Sequence, residues 1–178
     1  MTMKKVLLGL LGLLLLGLAA LAFKASRVPT HYSIPVTREL PKSCDQVFDL
    51  VAQLDKWESW SPWKKYDAET RYKLDSAQIT GPGAKLSWES KKTGNGSARI
   101  TDFRQGTMLQ YELSFEGWDS KSMGQFDLVA TGPSVCKTTW TMSGDNPFLG
   151  KVFWIVFNFE NAIMKDFNDG LANIAALK

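Results

Sequence analysis

Hydrophobic and polar positions along this chain follow three different patterns, and each marks a different part. From Val6 to Phe23 every residue is apolar or glycine, with Lys4 and Lys5 before the run and Lys24 and Arg27 after it. The run is 18 residues long. At ~1.5 Å rise per residue it makes a helix of about 27 Å, against a hydrocarbon core of about 30 Å. Ten of the 18 residues are leucine, so insertion is favourable by roughly 4 to 7 kcal/mol as an upper estimate.

The second pattern is strict alternation. Tyr32, Ile34 and Val36 face Ser33, Thr37 and Glu39 between His31 and Leu40, which predicts a strand that ends at Pro41. From residue 70 to 146 alternating segments lie between regular turn signals: Gly81-Pro82-Gly83, Gly94-Asn95-Gly96, Gln105-Gly106, Gly117-Trp118-Asp119, Gly132-Pro133-Ser134 and Gly144-Asp145-Asn146-Pro147. The clearest sets Leu109, Tyr111, Leu113 and Phe115 against Gln110, Glu112, Ser114 and Glu116. An antiparallel meander with one wet face has this spacing.

The third pattern has the helical period. Val47, Phe48, Val51 and Leu54 predict an amphipathic helix capped by Ser43 or Asp45. Trp57, Trp60 and Trp63 at steps of three suit a short helical turn broken at Pro62. Phe148 to Leu177 contains no proline, and Phe153, Val156, Phe157, Ile163, Met164, Phe167, Leu171 and Ile174 recur at i, i+3, i+4 and i+7, which predicts one long helix. Gly170 falls in its apolar stripe, tolerable where a ring or backbone packs close. The predicted order is strand, helix, helical turn, six strands, long helix.

Charge divides the chain. Residues 1–27 hold four of the 21 Lys+Arg and none of the 18 Asp+Glu, so the remainder carries 17 against 18. The basic pI belongs to the N-terminal segment, and no nucleic-acid footprint is left. The segment itself has two readings. It is a retained anchor that holds the chain in a membrane through residues 6–23, or a signal peptide cleaved near Ala20-Leu21-Ala22. Gly9, Gly12 and Gly17 lack the four-residue spacing of a helix-dimer motif. Residues 1–27 are thus anchor or signal, 28–30 a tether, and 31–178 one domain. The expected location is a bacterial inner membrane, single-pass, with the domain periplasmic, or the periplasm or exterior after cleavage.

Order and punctuation together carry a resemblance. Val47-Phe48; Trp57, Trp60 and Trp63 around Pro62; Gly81-Pro82-Gly83 running to Leu86, Trp88 and Ser90; Thr139-Trp140-Thr141; and Asp166-Phe167 with Gly170-Leu171 resemble the SRPBCC superfamily. This group is also called START-like or birch-pollen-allergen-like, and the match points to its bacterial membrane-anchored polyketide cyclase/dehydrase-type members. The resemblance implies an α+β helix-grip fold, a curved seven-stranded antiparallel sheet around a long C-terminal helix with an apolar cavity between them. It also implies that the first and last strands are neighbours, bringing Cys44 near Cys136. A disulfide in an oxidising compartment and two buried free thiols both remain open.

Candidate chemistry is sparse. His31 is the one histidine, at the start of the first strand, where a surface role is the ordinary expectation. No second histidine, CxxC pair, nucleophile elbow or phosphate loop accompanies it, so no metal and no cofactor is expected. Glu160 lies on the apolar stripe of the last helix, where it is either turned inward as a polar hook or general acid/base, or a glutamate at the stripe's edge that reaches solvent or a buried arginine. Trp60, Trp63, Trp88, Tyr111, Phe115, Trp140, Met164 and Phe167 complete the expected ligand-binding set, although each Trp also serves as core. Trp57 and Trp118 suit a cavity mouth or a lipid interface.

Three functions follow. The first is a membrane-tethered, non-enzymatic binding domain for a lipid-like or quinone-like small molecule. The second is a cyclase or dehydratase in which Glu160 or Tyr111 moves a proton. The third is an envelope interaction module whose core is filled by its own aromatics.

Overall fold

The computed structural model describes residues 3–75, 77–118 and 121–178. Asp119 of the Gly117-Trp118-Asp119 turn lies outside them. Helix α1, Met3–Arg27, is followed by strand β1, His31–Leu40, and helix α2, Cys44–Ala52. Ser43 caps α2 in a reciprocal box: the Gln46 backbone N–H donates to Ser43 Oγ, and the Ser43 N–H donates to Gln46 Oε1. A 3-10 turn at Leu54–Lys56, the four-residue helix α3, Trp57–Trp60, and a second 3-10 turn, Pro62–Lys65, follow. Pro62 starts that second turn, where its missing N–H costs nothing.

Six strands come next: β2 Arg71–Leu74, β3 Lys85–Glu89, β4 Gly96–Arg104, β5 Met108–Phe115, β6 Ser122–Gly132 and β7 Val135–Asp145. With β1 they form one curved, open antiparallel sheet in the order β1-β7-β6-β5-β4-β3-β2. β1 and β7 run side by side from His31–Asp145 to Leu40–Cys136. The chain is therefore α+β, with the meander and first-to-last pairing that the sequence implies. Two glycines let rings lie on the sheet. A Cβ at Gly124 would sit 2.0 Å from Cζ of the facing Tyr111, and one at Gly96 would sit 2.4 Å from Cζ2 of the facing Trp88.

The last segment departs from the predicted single helix. α4 covers Phe148–Val156, α5 covers Phe159–Ala176, and Asn158 between them takes the left-handed conformation at φ 49°. Asparagine tolerates that region, so the chain turns without a proline or glycine to announce it. α5 is the gripped helix and packs against β1, α3 and the second 3-10 turn. Gly170 is where Trp140 presses on it, since a Cβ there would meet Cζ3 of that ring at 2.7 Å.

The core lies between the sheet, α2 and the C-terminal half of α5. Trp140 stacks on Phe167 at 3.8 Å between centroids and on Phe126 at 4.7 Å, with Trp60 edge-on at 5.5 Å. Buried N–H groups are satisfied: Trp140 Nε1 donates to Tyr111 Oη (2.7 Å), Trp60 Nε1 to the Leu50 carbonyl (2.9 Å), and Trp57 Nε1 to the Val51 carbonyl (2.7 Å). Cys44 and Cys136 form a disulfide across this end, which excludes the free-thiol alternative. The pairing of β1 with β7 places Cys136 beside Leu40, four residues before Cys44.

Candidate functional site

Toward the other end of the sheet the packing opens into a cavity of about 460 Å³. Alternation on the strands supplies its floor: Tyr32 from β1, Tyr72 from β2, Leu86 and Trp88 from β3, Leu113 and Phe115 from β5, and Met142 from β7. Trp57 and Trp63 close one side. Gly150, Phe153 and Trp154 from α4, with Phe159 and Ile163 from α5, form the roof. Rings meet edge to face around the wall, Trp88 with Phe115 at 5.8 Å and Trp118 with Phe153 at 5.6 Å.

Among the polar residues of the wall, which include Ser61, Thr70, Thr93 and Ser122, two carry the most consequence. Asp166 is almost fully buried, and both its oxygens accept hydrogen bonds: Oδ2 from Trp63 Nε1 (3.1 Å), and Oδ1 from Lys65 Nζ (2.9 Å) and Tyr66 Oη (2.7 Å). Lys65 also reaches Asp169 at 2.6 Å. Desolvation pulls the Lys65 ammonium down, but hydrogen bonds to Asp169 and Asp166 outweigh it and hold the pKa above its ordinary value. The bond to Asp166 likewise raises the Tyr66 phenol. Asp166 therefore fixes the plane of Trp63 in the wall, with three of its roughly four acceptor positions taken. The second feature is Asn146, 4% exposed, whose Nδ2 has no hydrogen-bond partner among the described residues. A buried amide donor without an acceptor is costly unless something supplies one.

The expected ligand-binding residues divide into three groups. Trp63, Trp88 and Phe115 line the cavity. Trp60, Tyr111, Trp140 and Phe167 are fully buried in the packed end, behind it. Glu160 and Met164 are exposed on the outside of α5. The inward stripe of α5 runs through Ile163, Phe167, Gly170 and Ile174; Glu160 stands in the first turn of the helix, just after the bend at Asn158, and is exposed there. Burial and its bond to Trp140 act in opposite senses on Tyr111, burial more strongly, so the phenol stays neutral far above neutral pH. Trp57 is buried in the wall and not at a lipid interface, while Trp118 is half exposed at the cavity's edge. His31 is on the surface, 3.1 Å from Asp145.

Tyr32, Tyr72, Asn146, Phe153, Trp154 and Asp166 are wall residues that sequence reasoning missed. The density of aromatics from Phe148 to Phe159 was the available signal for the roof.

No protein-family model and no curated protein matches the sequence. Solved structures do. A protein from Chromobacterium violaceum superposes with a TM-score of 0.59 at 15% identity, over 81% of this chain and 94% of that one. Norcoclaurine synthase of Thalictrum flavum, a point mutant in complex with a transition-state analogue, gives 0.58 at 13% over 84% and 97%. DynU16, from the dynemicin biosynthetic locus, gives 0.54 at 14% over 80% of this chain and 45% of its own. At such identities the likeness is one of fold alone, a curved antiparallel sheet with a long C-terminal helix against it.

Proposed function

We propose that this chain is a membrane-tethered binding domain for a hydrophobic small molecule, lipid-like or quinone-like, held between the sheet and helices α4 and α5. The observation that carries the reading is the cavity of about 460 Å³ with aromatic walls, within the range of small-molecule pockets, roughly 300 to 1,000 Å³. Catalysis is not favoured, because the buried carboxylate in the wall, Asp166, is already occupied by Trp63, Lys65 and Tyr66.

Helix α1 is long and apolar enough to cross a membrane, with mean hydropathy 2.7 over its apolar window, and we take it as a retained anchor with the domain on the periplasmic side. The Cys44–Cys136 disulfide supports that side, since such bonds persist in oxidising compartments. Tethering raises the effective concentration of any ligand that partitions into the same membrane.

Organic extraction of the purified full chain, followed by mass spectrometry, tests the reading. An apolar molecule enriched over a control membrane protein is the expected result. An extract identical to the control's, together with no binding of an apolar fluorescent probe in detergent, would overturn it.

A further inference from the structure

Outside α1, ten large hydrophobic side chains are exposed among the described residues, and seven of them cluster. Phe148, Leu149, Phe153, Val156 and Phe157 belong to α4 and the residue that ends it; Trp118 touches Phe153, and Met164 follows on α5. α4 has nine residues, one charge and no buried residue. A helix that is apolar all round is normally interior, and a contiguous exposed patch of this kind marks a contact surface.

What covers it is indicated by its neighbour. α4 packs against α1, whose last turn is drawn into the domain by the fully buried Ala25. The Asn146 N–H donates to the Thr30 carbonyl (2.6 Å) and Lys151 Nζ to Thr30 Oγ1 (2.9 Å), fastening the start of α4 to the chain that leaves α1. The apolar surface of α1 thus continues onto α4 with no flexible spacer between.

Sheet register brings the basic groups to the same end. Tyr32 pairs with Gly144, Gly144 with Ser122, and Phe115 with Gly96, so the turn carrying Lys91 and Lys92 lies at the α4 end with Lys24 and Arg27. These four cations are exposed. Of the acidic groups at this end, Asp145 and Glu116 hydrogen-bond with His31 and Asn95, and Glu89 and Glu160 are exposed.

We infer that α4 and Trp118 form a docking face for the anionic phospholipid bilayer that α1 crosses, lying in its interfacial layer. The inference rests on the reading of α1 as a retained span. Leu149, Val156 and Phe157 enter the acyl boundary, the basic groups meet headgroup phosphates, and the cavity edge at Trp118, Gly150 and Phe153 opens against lipid instead of water.

The test uses the full chain with its disulfide intact, in vesicles of phosphatidylethanolamine and phosphatidylglycerol. Single cysteines at exposed sites, Leu149→Cys, Phe157→Cys, Leu16→Cys and Val129→Cys, carry a nitroxide. Val129, paired with Lys137 near the far end of β7, is the aqueous reference. Labels at Leu149 and Phe157 are expected to collide several-fold more often with dissolved oxygen than with a water-soluble nickel chelate, as the Leu16 label does, with the Val129 label showing the reverse. Aqueous behaviour at Leu149 and Phe157 beside a lipid signal at Leu16 overturns the docking face alone. An aqueous signal at Leu16 removes the span beneath it. Protection of Leu149 and Phe157 from both quenchers overturns it in favour of a second copy or another protein.

Discussion

The two ends of the grip are built from the same strands yet differ in kind. On β5, Leu109 and Tyr111 are buried in solid core, while Leu113 and Phe115, two and four residues beyond Tyr111, face the cavity. On β7 the change falls between Trp140 and Met142, and on β1 between Val36 and Tyr32. Helix α2 and the C-terminal half of α5 fill the closed end, and the disulfide crosses it. Over the open end lies α4, which buries none of its residues. One half of the domain supplies stability, and that leaves the other half free to be hollow.

A truncation in each half separates them most sharply. Trp140→Ala removes a ring stacked on Phe126 and Phe167 and leaves Tyr111 Oη without its donor. A loss of about 3–5 kcal/mol is expected for such a residue, read from urea unfolding. Trp140→Phe should retain the stack and lose mainly the hydrogen bond, about 1 kcal/mol, together with some packing. A small effect from Trp140→Ala would mean that the closed end does not dominate stability.

Reducing the disulfide, or replacing it with Cys44→Ser and Cys136→Ser together, is the next largest change. The bridge closes residues 92 apart in sequence, and its loss is expected to cost roughly 2–5 kcal/mol, chiefly by freeing the unfolded chain. Probe binding by the protein that remains folded should be nearly unchanged, because the bond is at the closed end. A fall in affinity that matches the fall in stability would dissolve the distinction between the halves.

Phe153→Ala reverses the balance. The ring is half exposed and lies in the roof, so the expected loss of stability is below about 1 kcal/mol. Binding of an apolar probe in detergent should weaken by about 1 to 2 kcal/mol, five- to thirty-fold. Unaltered binding would remove α4 from the site.

This division was only half legible in the sequence. Alternation told which residues of Leu109 to Phe115 point inward, but not how far along the strand other side chains come to meet them. Trp60, Tyr111, Trp140 and Phe167 therefore looked the same as Trp63, Trp88 and Phe115, and only α2 and α5 in place distinguish core from wall. The hinge was hidden because Asn158 reaches φ 49° with no breaker residue beside it, and helical spacing could not show that Glu160, in the first turn after it, is exposed. The disulfide depended on strand adjacency, which the resemblance supplied, and on redox compartment, which residue spacing does not encode. The antiparallel meander, the Ser43 cap and the tryptophan turn were readable because their causes are local.

The boundary between the halves gives the smallest effect. Asp169 is held at a pKa of about 2 by hydrogen bonds from Lys165 and then Lys65, against an unfolded value near ~3.9. A depressed carboxylate favours the folded state above the unfolded pKa, and the contribution is lost as pH falls through the folded one. Asp169→Asn should therefore lower the urea midpoint slightly at pH 6, with the gap from the unsubstituted protein narrowing below pH ~4 and closing near pH 2. Exposure keeps the gap small. The same Lys65 holds Asp166 and, through it, the plane of Trp63, so any accompanying change in probe affinity reports how far this outer ion pair steadies the cavity wall. A gap that persists undiminished at pH 2 would assign the substitution's effect to something other than the charge on Asp169.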